Sequence, residues 1–263
     1  MPNARELLAF YLEAGVDCAL SETPVNRLVE EPASEERPAA KPALFRTANP
    51  APVVPASAHS APAPDAAIMS AREIAPGAAS LQELRELLER FDGCALKSTA
   101  TRLVFADGNP EAKIMFVGEA PGRDEDLEGL PFVGRSGKLL DLMMAAIGLD
   151  RTKVYIANII PWRPPGNRDP SPQETQICLP FIRRQIELVD PDVLVCLGKP
   201  SSQAVLDLKD GIMKTRGKWI DYDTGTRKIK AMATFHPAYL LRQPIYKRLT
   251  WQDLRAVQKA LQG

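Results

Sequence analysis

Four short apolar runs, KIMFVG (113–118), VYIANII (154–160), VLVCLG (193–198) and KAMATF (230–235), constrain what this chain can fold into. Each is the length of a strand and apolar enough to be buried on both faces. Stretches of helical period lie between and after them: GKLLDLMMAAIGL (137–149), PQETQICLPFIRRQIELV (172–189), PSSQAVLDL (200–208) and WQDLRAVQKAL (251–261). Ser171 is a natural N-cap and Pro172 a natural first residue for the second of these helices. Strands that alternate with helices pair in parallel. The expected fold is α/β, a three-layer α/β/α sandwich with a central four-stranded parallel sheet.

The N-terminal third reads differently. Leu7, Leu8, Tyr11 and Leu12 fall at helical spacing, so residues 1–20 are expected to form an N-terminal amphipathic helix. Residues 21–76 are rich in Pro, Ala, Ser and Glu and poor in large apolar side chains. Such a segment cannot bury enough surface to offset its chain entropy, which predicts a disordered linker. The catalytic domain, 77–263, should open with the helix SLQELRELLERF. No run of about 18 apolar residues suggests a membrane span. The N-terminus lacks a signal-peptide core, and the expectation is a cytoplasmic monomer.

The four cysteines, Cys18, Cys94, Cys178 and Cys196, form no C-x-x-C pair and read as free thiols. From Lys214 onward, eleven Lys and Arg face three Asp and Glu, although the whole chain is formally neutral. A basic segment of this kind suits a polyanionic partner, although a surplus of this size more often marks a solvated face.

In an open parallel sheet, ligands bind beyond the C-terminal ends of the strands. The first strand leads into GEAPGRDED, with Glu119 and Ala120, and the second carries Asn158 and leads into PWRPPGNR. The third leads into Gly198-Lys199-Pro200-Ser201, and the fourth into His236-Pro237-Ala238-Tyr239-Leu240-Leu241-Arg242. One crevice should therefore receive a carboxylate, an amide, a histidine and several basic groups.

The segments GEAPGRDED, PFVGRSGKLL, NIIPWRPPGNR and FHPAYLLR resemble the uracil-DNA glycosylase superfamily, nearest its thermophile-type, family 4 branch. The likeness runs over about residues 91–261. It implies an enzyme that flips uracil, and other deaminated or damaged bases, out of single- or double-stranded DNA and hydrolyses the N-glycosidic bond. By resemblance, Glu119 positions or activates the attacking water, with Ala120 beside it where other branches carry Asp. Phe132 stacks on the base, Asn158 reads its edge and His236 bonds O2. Gly134, Arg135, Ser136 and Gly137 form a turn near DNA phosphates. Leu241 and Arg242 wedge into the duplex, and Arg163, Lys199 and Tyr239 also face DNA.

Family 4 members hold a [4Fe–4S] cluster on four cysteines. Only Cys94 and Cys178 match those positions, while Phe91 and Trp162 stand at the other two. A cluster takes four thiolates, so the expectation is no cluster, no metal, and an apolar plug of Phe91 and Trp162. The alternative function is a protein that binds uracil or abasic DNA with little turnover. The N-terminal helix would serve a protein partner.

Overall fold

A computed structural model of the protein describes residues 64–262. The expected N-terminal helix (1–20) and the linker up to residue 63 lie outside the described residues.

The chain enters through helix α1 (Pro64–Ile74) and a 3-10 turn (Ala75–Gly77). Two helices follow, α2 (Leu81–Arg90) and the single turn α3 (Leu96–Thr99). The alternating body is then β1 (Asp107–Gly108), β2 (Ile114–Gly118), α4 (Arg123–Glu128), α5 (Arg135–Ala145), β3 (Tyr155–Asn158), α6 (Pro172–Val189), β4 (Val193–Leu197) and α7 (Lys199–Leu206). It closes with α8 (Ile212–Thr215), β5 (Trp219–Asp223), β6 (Lys228–Thr234), α9 (Pro237–Arg242) and α10 (Lys247–Leu261).

The sheet has strand order β1-β3-β2-β4-β6-β5. Its centre, β3-β2-β4-β6, is parallel throughout, as the apolar runs implied. Two antiparallel edges enlarge the expected four strands to six. β1 is only two residues long, and β5 (WIDYD) alternates exposed with half-buried positions, so neither resembles a buried parallel strand. In register, Gly118 lies beside Asn158 and Leu197 beside Thr234, which brings the four strand ends to one rim.

Both faces of the sheet are covered. Residues of α1, α2, α6 and α7 pack on one, among them Leu84, Leu88, Ile182, Ile186 and Val205. Helices α5, α9 and α10 cover the other through Leu140, Met144, Leu240, Leu254 and Val257. Local signals set the helix starts. Ser171 Oγ accepts from the Glu174 N–H at 3.2 Å, and the Glu174 carboxylate accepts from the Ser171 N–H at 2.7 Å. At α2, Ser80 Oγ accepts from the Glu83 N–H at 3.2 Å, and the Glu83 carboxylate accepts from the Ala79 N–H.

The linker expectation fails at its end. Residues 64–76, assigned there to a disordered segment, are helical and packed on α6. The reason is a stripe of small side chains: Ala67, Ala71 and Ala75 recur every fourth residue and are all buried. Alanine favours helix and lets two backbones approach closely, although the same composition resembles a linker. Among the described residues, no helix is long and apolar enough to cross a membrane.

Candidate active site

The rim of parallel strand ends surrounds a cleft of about 360 Å³. Glu119 and Ala120 reach it from the end of β2, Asn158 from β3, and His236 and Arg242 from the turn and helix after β6. Phe132 and Ser136 enter from the loop and helix start before α5. Seven residues singled out in the sequence thus line one cavity.

Asn158 is buried at the end of β3, and its Oδ1 has no hydrogen-bond partner among the described residues. A buried acceptor without a donor is costly, and proteins keep few of them. Gly118, alongside in the sheet, makes room for it. A Cβ at Gly118 would stand 2.3 Å from Asn158 Oδ1 and 2.6 Å from Cζ of Phe132. The glycine at the strand end is therefore demanded by the site and not by a turn.

His236 caps α9. Its Nδ1 accepts from the Ala238 N–H at 3.1 Å. That bond fixes the neutral tautomer with the proton on Nε2, which leaves a donor for the cavity. Burial, reinforced by the charge of Arg242, pushes the histidine down to about 4. The ring is thus a neutral donor at physiological pH. Its centroid lies 5.5 Å from that of Phe132, with the planes 34° apart. Gly198, with φ +92°, lets the end of β4 pass beneath the His236 Cβ, where a side chain would meet it at 3.0 Å.

Glu119 shows the opposite shift. Burial, then the nearby charge of Asp169, raises its carboxyl to about 7. The neighbouring acids do different work. Glu125 accepts from the N–H groups of Gly122, Val133 and Gly134 at 3.0–3.1 Å. Asp126 accepts from the backbone of Thr101 and Arg102 and from the Thr101 hydroxyl. Both are committed to holding the loops.

The remaining sequence candidates lie around the cavity. Gly134 and Gly137 are buried, and a Cβ at Gly137 would stand 1.6 Å from the Phe132 carbonyl oxygen, so close backbone packing explains that glycine. Arg135 is exposed. Arg163 is turned inward, donating to Asn167 Oδ1 at 2.7 Å and lying 3.9 Å from Asp126. Lys199 lines an adjoining cleft that also includes Glu119. Tyr239 stacks on both Phe235 and Tyr246, with centroids at 5.3 and 5.6 Å, and those two rings also meet at 5.3 Å. Leu241 is 38% exposed at the tip. Sequence reading stopped short of Asp169 and Pro170, which the loop after β3 folds back into the cavity wall.

The Sγ atoms of Cys94 and Cys178 are 4.0 Å apart and buried. Phe91 and Trp162 are buried as well, at 6% and 2% exposure. Phe91 packs on Phe181 with centroids 5.1 Å apart. Its ring fills the space over Gly93, where a Cβ would meet it at 2.4 Å. Among the described residues, no group of three or more His, Cys, Asp or Glu is arranged to hold a metal ion.

Residues 105–255 match the family model described as the uracil DNA glycosylase superfamily. The chain is similar to a type-4 uracil-DNA glycosylase of Archaeoglobus fulgidus, 47% identical over 168 residues that cover 62% of this chain and 84% of the relative. It is similar to that of Thermotoga maritima at 42% over 163 residues, covering 62% and 83%. The Sulfurisphaera tokodaii type-4 protein is 38% identical over 185 residues, covering 68% and 84%.

Proposed function

The chain belongs to the uracil DNA glycosylase superfamily, on its type-4 branch, and on that premise we propose how it removes uracil from DNA as a monofunctional hydrolase of the N-glycosyl bond. One observation carries the reading: the unpartnered Oδ1 of buried Asn158 shares a cavity with the Nε2–H donor of His236.

A base within a duplex is out of reach, so the nucleotide must swing out, at a cost of a few kcal/mol. Phe132 offers a stacking face worth roughly 1–3 kcal/mol. Asn158 Oδ1 accepts from N3–H of uracil while its Nδ2 donates to O4. Cytosine has no N3 hydrogen and fails this test. Breaking the glycosidic bond leaves negative charge on the base and positive charge on the sugar. The His236 Nε2–H donates to O2 and stabilises that anion, a contribution of about 2.7–4 kcal/mol for a fixed donor. Glu119, in its ionised form, receives the water proton and stabilises the cationic sugar. An abasic site remains.

DNA is the partner, single- or double-stranded. Gly134, Arg135, Ser136, Gly137, Lys199, Tyr239, Leu241 and Arg242 face it around the cavity, and Arg163 acts on it by holding its loop. The enzyme works as a cytoplasmic monomer. The catalytic body extends to Pro64, and the N-terminal helix recruits a protein partner. The cavity also leaves room for other deaminated bases.

We read this chain as working without the iron–sulfur cluster of its branch. A cluster takes four thiolates. Two thiols remain here, and the places of the other two hold buried aromatic rings. These residues do not fit the group. Burying an aromatic side chain contributes about 1.5–3 kcal/mol, which stands in for metal–sulfur bonds.

An excision assay on single- and double-stranded uracil DNA tests the function, with Glu119→Ala and His236→Ala alongside. Wild type should cleave both and each variant should lose at least about a hundredfold. Tight binding without cleavage by wild type would favour the binding-protein alternative.

A further inference from the structure

Arg151 lies in the turn before β3, outside the cavity wall and outside every motif considered above. A basic residue in a DNA enzyme is commonly taken for a phosphate ligand. Its hydrogen bonds exclude that role. Nε donates to Asp141 Oδ1 at 2.8 Å, and Nη1 to Asp107 Oδ2 at 2.5 Å and to the Pro131 carbonyl at 3.2 Å. Nη2 donates to the Phe132 carbonyl, with Asp141 Oδ2 also in reach at 3.5 Å. Every nitrogen of the guanidinium is engaged within the protein.

The two carbonyls it holds belong to the peptides that aim the stacking ring. Phe132 has φ +56°, a conformation that bulky residues rarely adopt and that surrounding structure must enforce. The Phe132 carbonyl is pressed from one side by the backbone of Gly137 and bonded from another by Arg151. The ring is thereby turned toward Gly118, Asn158 and His236. Asp107, on the short edge strand β1, and Asp141, on α5, fix the guanidinium in turn. A two-residue strand at the sheet edge is thus linked through one arginine to the base pocket.

We propose that Arg151 is a positioning residue for base recognition, which clamps the Pro131–Phe132 carbonyls and so holds the Phe132 ring at stacking distance from the flipped uracil. It rests on the reading of Phe132 as the stacking ring. Arginine is specific here because one planar fork reaches two carbonyls and two carboxylates, which a lysine ammonium cannot do.

The test measures kcat and KM for uracil DNA, the salt dependence of KM and the inhibition constant of free uracil for Arg151→Lys, Asp141→Asn and Phe132→Ala. Arg151→Lys should raise the uracil inhibition constant about tenfold and lower kcat about ten- to a hundredfold. KM for DNA and its salt slope should stay at the wild-type values, because no phosphate contact is lost. Asp141→Asn, which leaves the arginine in place, should move both constants in the same direction by less, and serves if the lysine variant does not fold. A fall in kcat with an unchanged uracil constant marks a merely structural role and overturns the proposal. So does a changed salt slope, which marks a phosphate contact. Phe132→Ala should raise the uracil constant at least as much. If it does not, the base-pocket reading itself fails, whereas a rise there without one in Arg151→Lys overturns the proposal alone.

Discussion

Asn158 Oδ1 occupies the position that any side chain on Gly118 would need, since a Cβ there would approach it to 2.3 Å. The two residues are register partners on adjacent parallel strands, so the contact is set by the sheet and cannot be relieved by a loop shift. Gly118→Ala should therefore displace the Asn158 amide or the Phe132 ring. The expected outcome is a loss of about a hundredfold or more in kcat/KM on uracil DNA, with the fold retained by circular dichroism. Wild-type excision by Gly118→Ala would contradict this placement of the amide.

Two titratable groups of the cavity are pushed in opposite directions, Glu119 up to about 7 and His236 down to about 4. Of this pair, Glu119 is the one that titrates near neutrality. Excision should rise with pH through about 7 as the carboxylate forms, and His236 should add no ionisation between pH 5 and 9. In Glu119→Gln this limb should vanish along with most of the activity. A limb that survives in the glutamine variant would assign the ionisation to another group.

The same shift has a sign in stability. Glu119 ionises at about 7 when folded and at its ordinary 4.5 when unfolded, so folding disfavours its charged form. Below pH 4.5 both states are protonated and the penalty is absent. It grows between 4.5 and 7 and is complete above 7. Glu119→Gln should raise the melting temperature at pH 8 and leave it unchanged at pH 4. Equal melting curves at pH 8 would count against a desolvated carboxyl.

Trp162, at 2% exposure, and Phe91, at 6%, occupy the places of two cluster ligands in the resemblance to family 4. Removing a buried ring of this size costs about 3–5 kcal/mol. Trp162→Ala should show a loss of that order in denaturant unfolding. Protein purified without oxygen should carry no broad absorbance band near 400 nm. Stoichiometric iron with such a band would overturn the cluster-free reading.

Leu241 and Ile245, 38% and 77% exposed, stand in the segment after β6 that also carries the clustered rings of Phe235, Tyr239 and Tyr246. Exposed apolar side chains on a segment with such an aromatic cluster suit insertion into the gap left by a flipped nucleotide. Leu241→Ala should lower excision from duplex DNA about tenfold more than from single strands, where no stack has to be broken. Equal losses on both substrates would mark a general packing role.

The centre of the sheet was legible because β2, β3, β4 and the second half of β6 are buried on both faces and therefore almost uniformly apolar. Glu119, Asn158 and His236 were legible because strand ends in a parallel sheet converge on one rim. What escaped had no such pattern. β1 is too short for any periodicity, and β5 is polar on an edge. Asp169 reaches the cavity through the fold of a loop, which spacing does not encode. Arg151 is one basic residue among many in the sequence, and its role depends on contacts with residues 10 to 44 positions away.

The alanine stripe of α1 and the 3-10 turn after it sets where the N-terminal segment can be cut. Ala67, Ala71 and Ala75 have no bulk of their own, and their contribution is to shield the surface of α6 from water. Trimming to residue 77 would strip that cover and leave a sticky, aggregation-prone flank, so any loss of activity would be mistaken for a role of the tail. Trimming to Pro64 leaves the helix in place and isolates what the first 63 residues do.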